Sequence, residues 1–233
     1  MAYVISPPAI PAVAIAGSDD LFPVNRVYCV GRNYAAHARE MGHDPDREPP
    51  FFFAKAPENL VAASDLDGGG DFPYPVQSQD VHHEIELVVA LSEGGANIAE
   101  DKALDHVWGY GVGIDMTRRD LQGEAKKMGR PWDVGKAFDH SAPIGRLHAA
   151  SDTGHLDQGR VWLEINGDVR QDGDLNQLIW NIPETIAYLS GLFTLRSGDL
   201  IYTGTPAGVG PVAKGDVLVG GVDGLSGVKI TVS

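Results

Sequence analysis

The sequence predicts an α+β protein built mostly of strands. Its 29 glycines and 15 prolines are spread along all 233 residues, a punctuation that suits short strands and tight turns better than a helical bundle. Apolar residues make up 43% of the chain and recur throughout, so a substantial core can form and low-complexity disorder is excluded. An Asn166-Gly167 pair sits between two strand-like runs, the signature of a two-residue type I′ hairpin turn.

The elements follow in order. Residues 1–23 form a Pro-rich leader expected to pack on the core, and residues 24–233 are expected to form one domain. A short strand over 26–30 stops at Gly31. Residues 34–41 carry the helix formers Ala35, Ala36 and Ala38 and stop at Gly42. After a polar loop comes a short apolar strand over 51–54. Residues 63–75, with three consecutive glycines, read as loop. The run EIELVVAL (84–91) is a strand, and the period of two puts Glu84, Glu86 and Val88 on one face. A glycine-rich strand over 107–114 ends at Asp115, and a helix over 117–128 follows it. Residues 161–165 and 169–171 are the arms of the hairpin, 182–193 an amphipathic helix, and 199–232 strand and turn.

Charge narrows the function. Eighteen Lys and Arg against 32 Asp and Glu leave a net −14, a field that repels nucleic acid and anionic membrane alike. A single cysteine, Cys29, rules out an internal disulfide and fits a reducing cytoplasm. The leader lacks a basic region ahead of an apolar run, and no segment reaches the roughly 18 apolar residues of a membrane span. A soluble, cytoplasmic protein acting on a small molecule is the expectation.

Glu84 and Glu86 alone fit an ordinary solvated strand face. Asp115, closing an apolar strand, changes the balance: three carboxylates close together repel unless a cation neutralises them. An all-oxygen set suits Mg2+, or Mn2+, better than zinc, which would recruit His or Cys. The adjacent His82 and His83 are read as supporting or structural. His37 and Glu40, three apart in the first helix, can hydrogen-bond; a Glu that orients an imidazole raises its basicity for taking a proton from water. The alternative is a solvated surface pair. Arg32 flanks them, beside a polar loop that could close as a lid. Arg118, Arg119, Gln122 and Lys136 form a local polar and cationic group that could grip carboxylates and a developing oxyanion, or merely neutralise Asp120 and Glu124. The 203–210 run TGTPAGVG lacks the Lys-Ser/Thr ending of a phosphate-binding loop and reads as a pocket wall.

Five segments in order, YCVGRNYAAHARE (28–40), HHEIELVVAL (82–91), GYGVGIDMTRRDLQ (110–122), GRPWDVGKAFD (129–139) and GDLIYTGTPAGVGPV (198–212), resemble the fumarylacetoacetate hydrolase family, in its short acylpyruvase and fumarylpyruvate hydrolase branch. The resemblance implies a mixed β-sandwich roll with a short lid helix, one catalytic domain over 24–233, and a homodimer. It implies a metal held by Glu84, Glu86 and Asp115, with His37 and Glu40 as a water-activating dyad and Lys136 as a catalytic cation. Arg119, Gln122 and Thr205 would contact the oxo acid, with Arg32 at the lid. Lys55-Ala56-Pro57, where many relatives read Lys-Pro, is taken as a loop difference. The implied activity is Mg2+-dependent hydrolysis of the carbon–carbon bond of an acylpyruvate, with fumarylpyruvate, a 2,4-dioxo acid of the gentisate route of aromatic catabolism, as substrate. The alternatives are oxaloacetate decarboxylation, a general acylpyruvase, and a non-catalytic oxo-acid-binding protein.

Overall fold

Strand Ile85–Leu91 is apolar on both faces after Glu86, and all seven of its residues are buried, as expected of a strand with neighbours on both sides and layers above and below. In the computed structural model, which describes residues 3–35 and 48–233, it lies at the centre of a mixed eight-stranded sheet. The order is Phe51–Lys55, Arg26–Gly31, Asp199–Tyr202, Ile85–Leu91, Val107–Ile114, Ala142–Ile144 and Leu60–Ala62, with His148–Ala149 also pairing to Val107–Ile114. Asp199–Tyr202 runs parallel to Arg26–Gly31 and antiparallel to Ile85–Leu91.

A second sheet of five strands has the order Asp168–Asp174, Arg160–Ile165, Val217–Val222, Val228–Val232 and Gly70–Phe72. Its first two strands are the expected hairpin. Asn166 (φ 54) and Gly167 (φ 88) both occupy the left-handed region that a type I′ turn demands. The core lies between the sheets: Leu87, Val89 and Leu91 meet Leu163, Leu218 and Ile230. The intervening Val88 and Ala90 pack on the opposite face with Val27, Leu200, Tyr202 and, from the leader, Val13 and Phe22. That alternation is the period-two rule written across two cores.

The fold is mostly β with few helices, as expected. Helix Arg119–Met128 begins two residues later than anticipated because Thr117–Arg118 pairs with Val81–His83 in a small three-stranded sheet. Helix Ile182–Leu192 opens with a capping box, in which Asn181 accepts from the Glu184 amide at 2.9 Å and the Glu184 carboxylate accepts from Asn181 N at 3.0 Å. One expectation is corrected: residues 63–75 are not all loop. Ser64 caps a short 3-10 turn, Asp65–Asp67, and Gly70–Phe72 is a strand parallel to Val228–Val232. The glycines allow the close approach, since a Cβ at Gly70 would lie 2.5 Å from the Ala62 carbonyl.

Candidate active site

The register of the two central strands builds the site. Ile85 pairs with Ile114 and Glu86 with Gly113, so the next pair outward is Glu84 with Asp115, and the Asp115 amide donates to the Glu84 carbonyl at 2.8 Å. Two carboxylates are thereby brought side by side where both strands end, with Glu86 one step further in. Glu84, Glu86 and Asp115 are all buried, and one ligand oxygen from each lies within 4.8 Å of the others.

Cations surround the acids. Lys136 ends the short helix Asp133–Lys136. Its Nζ donates to Glu84 Oε2 at 2.8 Å and to Asp115 Oδ2 at 2.7 Å. Arg119, in the first turn of its helix, donates from Nη2 to Glu84 Oε1 at 2.5 Å and from Nη1 to Gln122 Oε1 at 2.9 Å. Gly135 lets the two helices touch, since a Cβ there would come within 2.9 Å of Gln122. A third cation, Lys55, is 2.8 Å from Asp115 Oδ1, a contact that lacks hydrogen-bond alignment. Its ammonium donates instead to the Met116 carbonyl at 3.1 Å and to the Lys136 carbonyl. The sequence reading places Lys55 in a loop; it is instead the buried end of strand Phe51–Lys55 and belongs to the site. The available signal is a lysine closing an aromatic strand.

Glu86 differs from its neighbours. Among the described residues it has no ion pair, and the Gly204 amide, on a residue at φ +102, donates to its Oε2 at 2.7 Å. Burial first, then the adjacent Asp115 and Glu84, push its carboxyl well above the usual range. Burial works against the Lys136 charge, but Asp115 and Glu84 outweigh it, so that ammonium is held more firmly than usual. The donor set fits a hard divalent cation: among the described residues there are three buried carboxylates, no nearby His or Cys ligand, and one acid that forms no ion pair. Glu84, Glu86 and Asp115 are the residues that would hold it.

A polar brace supports the wall. Gln171 donates from Nε2 to Thr205 Oγ1 at 2.7 Å and to the Pro206 carbonyl at 2.8 Å, and its Oε1 accepts from the Ile85 amide at 3.0 Å. The same oxygen is 2.8 Å from His83 Nδ1, which must therefore carry the proton. Burial lowers the His83 pKa to about 4, so the ring is neutral at pH 7. Thr205 spends its hydroxyl proton on the Ile85 carbonyl at 2.8 Å, which leaves a lone pair for any ligand. Nothing in the polar strand Asp168–Asp174 marks Gln171 as buried. His82 faces Asp80 at 2.8 Å. The pocket is lined by Arg32, Glu84, Glu86, Arg119, Gln122, Lys136 and Thr205, walled by Phe51, Phe53 and Trp132. His37 and Glu40 lie outside the described residues.

The mostly β fold thus carries a buried carboxylate triad at the ends of its two central strands. A sequence model described as fumarylacetoacetate (FAA) hydrolase C-terminal matches residues 26–233, and the chain belongs to the fumarylacetoacetate hydrolase family. It is an enzyme, a hydrolase acting on carbon–carbon bonds. Among similar proteins, a structure of fumarylpyruvate hydrolase from Pseudomonas aeruginosa, in complex with Mn2+ and pyruvate, superposes with a TM-score of 0.95 at 52% identity, covering 99% of each chain. Fumarylpyruvate hydrolase of a Ralstonia species is 41% identical over 82% of this chain and 98% of its own. Mitochondrial oxaloacetate decarboxylase of Dictyostelium discoideum is 41% identical over 86% of this chain and 89% of its own.

Proposed function

We propose that this enzyme hydrolyses an acylpyruvate, with fumarylpyruvate as substrate and fumarate and pyruvate as products. The observation that carries the reading is a buried triad of Glu84, Glu86 and Asp115, contacted by Lys136, Arg119 and Lys55, of which Glu84 and Glu86 line a pocket with aromatic walls. Mg2+, or Mn2+, held by the triad, would supply Lewis-acid stabilisation of the enolate leaving group. Arg119 and Gln122 would orient the carboxylate of the oxo acid, and Lys136 would place a fixed positive charge beside the oxygen that becomes anionic. Phe51, Phe53 and Trp132 would exclude water other than the attacking one. His37, oriented by Glu40, would take the proton from that water.

Placement in the gentisate route of a bacterial cytoplasm fits the anionic substrate and the single buried Cys29. No helix among the described residues is long and apolar enough to cross a membrane. Residues 24–233 would act as one catalytic domain with the leader packed on it. Assembly as a homodimer is the family expectation carried over to this chain.

The test is a substrate panel followed by loss of diketone absorbance with pyruvate quantified, before and after exhaustive chelation. Turnover that survives chelation refutes the reading. A second reading, oxaloacetate decarboxylation, is favoured by the Dictyostelium relative. It needs no attacking water, so decarboxylation retained in His37→Ala with diketone cleavage lost would mark both activities as real and the dyad as hydrolytic only.

A further inference from the structure

The pocket holds two cations that the carboxylate triad does not use. Helix Arg119–Met128 turns Arg119, Gln122 and Lys126 toward the pocket at spacings of three and four residues. Arg119 is tied to Glu84, and Gln122 to Arg119. Lys126 stands two turns further on, about 10 Å along the axis from Arg119. Its ammonium lies 4.8 Å from the centre of the Trp132 ring, and it makes no ion pair among the described residues. Arg32, also in the pocket lining, is held at φ 57, a backbone state that side chains other than glycine rarely adopt. Its guanidinium sits over Phe51 at 5.3 Å, and Phe51 meets Trp132 edge-on at 5.4 Å. Two cations are thus displayed on adjoining aromatic plates, neither in an ion pair with the triad among the described residues.

That arrangement is unfavourable in an empty pocket. Burial, then the like charges of Arg119 and Arg32, bring the Lys126 pKa down to about 8. A lysine in a last helical turn ordinarily serves the helix dipole, yet the exposed Lys127 next to it can do that without desolvation. An anion arriving between Lys126 and Arg32 would relieve the repulsion.

We propose that Lys126, assisted by Arg32, binds a second carboxylate at the acyl end of the substrate and so selects dicarboxylic over monocarboxylic acylpyruvates. This rests on the acylpyruvate reading above. The pyruvoyl end lies at the triad with Arg119, and the acyl carboxylate lies at Lys126, two helical turns further along the same pocket wall.

The experiment measures kcat/KM of the wild type, Lys126→Met and Lys126→Arg on fumarylpyruvate and on acetylpyruvate, which lacks the second carboxylate. Lys126→Met is expected to lower kcat/KM for fumarylpyruvate by about tenfold or more, the scale of one charge-assisted hydrogen bond, chiefly through KM. Acetylpyruvate should change less than about threefold, and Lys126→Arg should keep most of the preference. Inhibition by fumarate should weaken in Lys126→Met while inhibition by pyruvate does not. Equal losses on both substrates, or an unchanged ratio, overturn the subsite while leaving acylpyruvate hydrolysis intact. A wild type that cleaves neither diketone overturns both.

Discussion

Glu86→Gln should stabilise the metal-free protein and weaken metal binding at the same time. The Glu86 carboxylate is buried with oxygens of Glu84 and Asp115 within 4.8 Å. At an effective dielectric of about 20 each like-charged neighbour at that distance costs about 3 kcal/mol before nearby cations offset it. Lys136 and the Gly204 amide offset part, so a net relief of about 1–3 kcal/mol is expected, given that a glutamine can still accept from Gly204. In a chain of this size that is a rise of several degrees in Tm. The pH dependence follows from the raised pKa of Glu86. Above the ordinary carboxyl range the folded state retains a proton that the unfolded state has lost, so the folded state binds more protons and stability falls as pH rises. That slope runs from the unfolded pKa up to the raised folded one, and should be missing from the variant. Saturating metal at about a hundred times its Kd adds about 2.7 kcal/mol to the wild type, and this increment should shrink in Glu86→Gln. Calorimetric melts with and without Mg2+, taken from about pH 5 to about pH 8, read all three effects. A metal-free variant that melts below the wild type, or one that gains the full Mg2+ increment, refutes the reasoning.

His37→Ala should lower kcat by at least roughly a hundredfold, the scale of a lost general base, with metal affinity unchanged by titration calorimetry; weakened metal would mean the role is misassigned. Lys55→Met removes a buried cation 2.8 Å from Asp115 and should cost about 3–5 kcal/mol in denaturant unfolding, with partial recovery on adding metal. Gln171→Leu orphans the His83 ring N–H and the Ile85 amide and should cost about 2–5 kcal/mol. Because Thr205 loses its brace, KM should rise in that variant more than kcat falls, and a wild-type melt would remove Gln171 from the account.

What was legible in the chain was local. Strand Val107–Ile114 and the hairpin at Asn166-Gly167 each carry their own periodicity or turn chemistry, and both form where the pattern places them. The triad was legible for the same reason: two glutamates two apart on a strand and an aspartate closing another strand need only one register to meet. The features that escaped depend on remote partners. Gly70–Phe72 is a strand only because Val228–Val232 runs beside it, and its glycines otherwise read as loop. Lys55 reads as a loop residue until Asp115 is known to lie against it. Gln171 sits in a run of polar residues, and only the Thr205 and His83 contacts give it a reason to be buried.

The charges explain how a protein of net −14 can bind an anion. Beside the triad Lys55, Lys136 and Arg119 are each paired with Glu84 or Asp115, so the protein alone offers an acidic substrate little attraction there. The cations that would grip the pyruvoyl carboxylate, Arg119 and Lys136, are already engaged by the acids. A divalent ion held by the triad reverses the balance, because it adds two positive charges in a region where burial weakens screening. Metal and substrate affinity should therefore be coupled: each raises the affinity for the other by the same factor. Pyruvate binding measured by calorimetry across a Mg2+ titration tests this directly. Equal pyruvate affinity with and without the ion would mean that Arg119 and Lys136 suffice, and that the triad serves some purpose other than offsetting the substrate's charge.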